Sequence, residues 1–73
     1  MVDIKITNPD GEERIVSIGD YEVILKDIDG SFIRSLLRSE IRGLVEMSEY
    51  KQKYSWKDFW EKILEHFDKH HKV

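Results

Sequence analysis

Residues 2–25 read VDIKITNPDGEERIVSIGDYEVIL. Two turn signals interrupt an alternating pattern. Asn8-Pro9-Asp10-Gly11 has the composition of a type I turn closed by a left-handed glycine, which makes a three-residue hairpin loop with a bulge. Gly19-Asp20 has that of a two-residue turn with glycine at the first central position. The first turn sets Ile6 opposite Arg14, Ile4 opposite Val16 and Val2 opposite Ile18. The second sets Ile18 opposite Tyr21, Val16 opposite Val23 and Arg14 opposite Leu25. A slip of one residue turns every side chain of a strand over. Both turns instead select one face, carrying Val2, Ile4, Ile6, Val16, Ile18, Tyr21, Val23 and Leu25. The other face is polar apart from Ile15 and Ile24, which this register sets against each other. It also sets Glu13 opposite Lys26 as an ion pair.

Downstream, Asp27-Ile28-Asp29-Gly30 is a turn cluster. Its two acids are spaced like the start of a calcium loop, but the twelfth position is Arg38, where a bidentate Glu is needed. The cluster therefore reads as a turn entering a helix, with Asp29 or Ser31 as N-cap. Ile33, Leu36, Leu37, Ile41, Leu44 and Val45 recur at helical spacing and predict a first helix from about Ser31 to Glu46. The exposed run Glu49–Tyr54 follows. Ser55 with Asp58 forms the signature of a capping box and predicts the start of a second helix. Its stripe is Trp56, Phe59, Trp60, Ile63, Leu64 and Phe67. Asp58–Lys62 and Glu65–Lys69 are i,i+4 pairs on its wet side. Lys69, His70, His71 and Lys72 gather at its C-terminus, where the helix dipole favours cations. The prediction is a single α+β domain over residues 1–73. It is a three-stranded antiparallel meander, order 1-2-3, followed by two helices on one face (βββαα).

Composition narrows the function classes. Seventy-three residues make one small domain with a limited core. Cysteine is absent, which removes disulfides, zinc ribbons and thiol nucleophiles. The longest apolar run is Val23-Ile24-Leu25, too short to span a membrane. Met1–Lys5 lacks the basic-then-apolar pattern of a signal peptide. A cytoplasmic location is the expectation. Alanine is also absent, Asn8 and Gln52 are the only amides, and 37% of residues are charged. Such usage resembles that of proteins selected at high temperature. The net charge of −3 hides a split. Residues 1–30 hold eight acids and three bases, and residues 31–73 hold seven acids and nine bases. Overall acidity argues against a general nucleic-acid coat protein.

Local patterns supply candidate sites. On a helix, Arg34, Arg38 and Arg42 would form a row of forked donors suited to phosphate or carboxylate. Tyr50-Lys51-Gln52-Lys53-Tyr54 interleaves aromatics with Lys51 and Lys53, a composition that stacks bases and holds phosphates. Trp56 and Trp60, on a stripe that three short strands would not fully cover, are candidates for partner contact, as are Ile15 and Ile24. His66 and His70 have the i,i+4 spacing of metal ligands, but no third ligand is evident and Lys62 would repel a cation. No metal and no cofactor is expected. No nucleophile motif or glycine-rich phosphate loop occurs. Glu40 falls within the apolar arc of the first helix. The expected function is therefore binding rather than catalysis. The first expected partner is another protein or a second copy of the chain, through Trp56, Trp60, Ile15 and Ile24. The alternative is nucleic acid, through Arg34, Arg38, Arg42, Lys51 and Lys53.

Overall fold

A computed structural model describes residues 2–71. Four strands precede two helices: β1 (Val2–Thr7), β2 (Glu13–Ile18), β3 (Glu22–Asp27), β4 (Phe32–Leu37), α1 (Arg38–Tyr50) and α2 (Tyr54–His70). The sheet is an antiparallel meander in the order β1-β2-β3-β4. The α+β class, the antiparallel sheet and the two helices agree with the sequence reading. The count of three strands does not. Residues 32–37, expected as the start of the first helix, form a fourth strand.

The cause lies in the turn before it. Asp27-Ile28-Asp29-Gly30 folds as Asn8-Pro9-Asp10-Gly11 does. Gly11 and Gly30 both take positive φ, 86° and 90°. In the first hairpin the Asn8 N–H donates to the Glu12 carbonyl and the Gly11 N–H to the Asn8 carbonyl, each at 2.9 Å. In the second, the Asp27 N–H donates to the Ser31 carbonyl and the Gly30 N–H to the Asp27 carbonyl. Asn8 Oδ1 accepts from the N–H groups of Asp10 and Glu12. The Asp29 carboxylate accepts from the Ser31 N–H and hydroxyl. A type I turn closed by a left-handed glycine returns the chain as a strand, not as a helix.

The β1–β2 register is as expected: Val2 faces Ile18, Ile4 faces Val16 and Ile6 faces Arg14. The β2–β3 register is shifted by two residues, with Ile18 opposite Val23, Val16 opposite Leu25 and Arg14 opposite Asp27. The turn centres on Asp20-Tyr21, closed by the Gly19 N–H donating to the Glu22 carbonyl at 2.9 Å. Neither central residue has positive φ, so this is not the glycine-first turn. The shift exchanges an Arg14–Leu25 mismatch for an ion pair. Arg14 lies 3.7 Å from Asp27 and 2.9 Å from Glu12. Because two is even, the buried face is unchanged. Only Tyr21 leaves it, into the turn, where it is 83% exposed.

The core joins Val16, Ile18, Val23 and Leu36 of the sheet to Ile41, Phe59, Trp60, Ile63 and Phe67 of the helices. Ile4, Ile6, Leu25, Leu44, Val45, Trp56 and Leu64 pack around it. The α2 stripe is therefore as predicted, but its cap is not. The helix begins at Tyr54 with Lys53 as N-cap and no side-chain cap. A true acidic N3 residue serves α1 instead, where the Glu40 carboxylate accepts the Leu37 N–H at 2.9 Å. Between the helices, Gln52 takes φ 58°. The Gln52 N–H donates to the Glu49 carbonyl and the Lys53 N–H to the Ser48 carbonyl, the pairing of a Schellman motif. The predicted Asp58–Lys62 and Glu65–Lys69 pairs do not form among the described residues. Lys57 lies instead 3.5 Å from Glu61 and 3.8 Å from Glu49. Lys72, assigned above to the helix end, lies outside the described residues.

Candidate functional site: the open face of the sheet

Both helices lie on one side of the sheet. The Cα framework measures 32 × 30 × 16 Å, and the thin dimension holds two layers, since stacked layers sit roughly 10 Å apart. The second face of the sheet is therefore open. Cross-strand partners share a face, so the register maps it. The β1–β2 half is polar: Asp3, Lys5, Thr7, Glu13 and Ser17. Ser17 donates its hydroxyl to the Asp3 carboxylate at 2.6 Å, and Lys5 pairs with Glu13 at 3.1 Å. The expected Glu13–Lys26 pair is thus replaced.

The β3–β4 half interleaves Ile24, Phe32 and Leu37 with Glu22, Lys26 and Ser35. Ile24 faces Ser17 on one side and Ser35 on the other, and Lys26 faces Ile15 and Phe32. Ile15 and Ile24 are therefore diagonal neighbours, not a direct pair. Phe32 is 67% exposed and Leu37, opposite Glu22, is 50% exposed. The register shifts between Leu25 and Lys26, where Ile33 has no partner across the strands. This bulged residue is also exposed. Among the described residues no carboxylate lies within 4 Å of the Lys26 ammonium.

The predicted binding residues scatter. Trp60 is 9% exposed and belongs to the core. Trp56 packs on Phe59 edge-on at 5.4 Å and on Trp60 at 6.2 Å. The arginine row expected on one helix is divided. Arg34 is on β4, opposite Leu25, and only Arg38 and Arg42 are helical. Arg38 is engaged by Asp68 near the end of α2, with Nε at 2.8 Å and the second nitrogen at 3.0 Å. That forked bond, with Arg42 and His71 nearby, holds the Asp68 carboxyl below its ordinary value. Arg42 is exposed on α1, and Lys51 and Lys53 flank the exposed interhelical turn beside Tyr50 and Tyr54. His66 lies beside Ile4–Thr7, and His70 lines a cleft with Gly19–Glu22 and Leu37. Among the described residues no group of three His, Asp or Glu side chains could hold a metal. No helix among them is long and apolar enough to cross a membrane.

Phe32, Ile33 and Leu37 are the exposed residues that sequence reasoning missed. The signal was present in the repeated spacing of Asn8-Pro9-Asp10-Gly11 and Asp27-Ile28-Asp29-Gly30. No protein-family model, curated protein or solved structure matches this chain.

Proposed function

We propose that this protein is a small non-catalytic module that binds another protein through the β3–β4 half of its open sheet face. The observation that supports this reading is the gathering of Ile15, Ile24, Phe32 and Leu37 on the face that neither helix covers. These side chains are diagonal neighbours across the strands, and exposed apolar side chains gathered among polar ones mark contact with other macromolecules. The remainder of that face is polar, with Asp3 bonded to Ser17 and Lys5 paired with Glu13, which supplies a rim. Trp56 and Trp60 serve the domain's own core in this reading, and Ile15 and Ile24 serve the partner.

The test is purification from native lysate with and without nuclease, comparing the wild type with Ile24→Glu and Phe32→Glu. Protein that co-elutes with the wild type in both conditions, and is lost from both variants, supports the reading. Co-elution of nucleic acid, or retention of the same proteins by both variants, overturns it. A salt titration on duplex and single-stranded oligonucleotides tests the competing reading through Arg34, Arg42, Lys51 and Lys53. The expected result is no binding at low salt, because phosphate-driven binding is strongest there.

A further inference from the structure

We propose that the partner docks as an extended acidic–apolar segment that adds a fifth strand to the β4 edge. The inference rests on the reading above and names the chemistry of the partner. β4 has one neighbour, β3. The Gly19–Glu22 bond turns the backbone groups of Glu22, Ile24 and Lys26 toward β2. Those of Val23 and Leu25 then point to β4, where they meet Leu36 and Arg34. The N–H and C=O of Ser35 are left facing outward, while Leu37 is the N-cap of α1, its N–H held by Glu40 and its C=O committed to the first turn of the helix. Edge strands are usually blunted by charge, proline or pairing. The opposite edge, β1, carries the Asp3–Ser17 and Lys5–Glu13 contacts. β4 carries one charge, Arg34, and one bulge, at Ile33, and presents Phe32 and Leu37 beside them.

Charge selects the occupant. β4 offers an unpaired cation, Arg34, on the helix side, while Lys26 lies on the open face one strand in from the edge, opposite Phe32. Among the described residues no acid lies within 4 Å of either. A second copy of the chain cannot supply one at this edge. Its β4 contains no acid, and antiparallel pairing of two β4 strands brings Arg34 toward Arg34. Its β1 holds Asp3 already bonded to Ser17. An added strand alternates its side chains between the two faces. Apolar residues on one side would cover Phe32 and Leu37, and carboxylates on the other would reach Arg34.

The experiment is an amide-resolved NMR titration of the full chain with three synthetic nonapeptides. One alternates isoleucine with glutamate, one alternates isoleucine with lysine, and one is the glutamate peptide with a central proline. The glutamate peptide is expected to shift the amides of residues 33–37 and to bind more tightly than the other two. Arg34→Glu should weaken it by roughly three- to fivefold, the scale of one exposed charge pair, and improve the lysine peptide. Ser35→Pro, which removes an outward N–H, should abolish binding. Because proline could unfold β4, the Arg34→Glu charge reversal stands as the independent arm. Equal binding of glutamate and lysine peptides, shifts confined elsewhere, indifference to Arg34→Glu, or no binding at millimolar peptide overturns the inference. If Ile24→Glu and Phe32→Glu still abolish protein capture, the open-face reading survives and only the added strand falls.

Discussion

Gln52 and Gly30 both sit in the left-handed region, but only one has the side chain suited to it. Gln52 carries a Cβ at φ 58°, where L-residues are disfavoured by about 1–2 kcal/mol. Gln52→Gly should raise stability by about 0.5–1 kcal/mol, that penalty less the extra freedom of glycine in the unfolded chain. The check is a higher urea midpoint at unchanged slope. Gly30 has φ +90° and open space where a Cβ would stand. Gly30→Ala should therefore destabilise through backbone strain alone, by about 1–2 kcal/mol. An unchanged midpoint would mean the β3–β4 turn does not need its left-handed residue.

At the level of elements, β4 is the test of the fold. A helix over residues 31–46 would bury Leu36 and Leu37 on one stripe. The strand buries Leu36 to 1% exposure and turns Leu37 to the open face. Leu36→Ala should cost about 2–5 kcal/mol, and Leu37→Ala less than about 1 kcal/mol. Equal losses in chemical denaturation would favour the helix. The first three strands were legible because turn signals bracket them, although Ile15-Val16 and Val23-Ile24-Leu25 put apolar residues on both faces, and the α2 stripe because its apolar residues recur at helical spacing. Ile33, Leu36 and Leu37 fit a helical stripe as well as a strand with apolar residues on both faces. Periodicity cannot separate the two over so short a run. The turn chemistry of Asp27–Gly30 could have separated them. The open-face site was half legible, through Ile15 and Ile24. Phe32 and Leu37 were hidden by the same ambiguity, and the arginine row was a product of it.

For the whole molecule, the Arg38–Asp68 bond ties the first turn of α1 to the last turn of α2. Asp68 has its carboxyl held below the ordinary 3.8, chiefly by the Arg38 hydrogen bonds. A depressed carboxylate stabilises the folded state above its unfolded pKa, and that contribution disappears as pH falls through the folded value. Asp68→Asn should lower Tm at pH 7, and the loss should shrink steadily as pH falls below the ordinary carboxylate range. A loss independent of pH would show that packing, not charge, holds the helix ends together. The helices also return the chain to its beginning. Val2 stands opposite Ile18, and His70 shares a cleft with Ile18 and Gly19. The two ends of the described chain thus lie at one corner of the slab, and the order of elements along the polypeptide becomes separable from their order in space. A short glycine–serine linker joining the termini, with a new break between Asp10 and Gly11, should yield a circular permutant that keeps all four strands in the same sheet. Its amide spectrum should match that of the parent everywhere except near the new break and the linker, and its denaturation should stay a single cooperative transition.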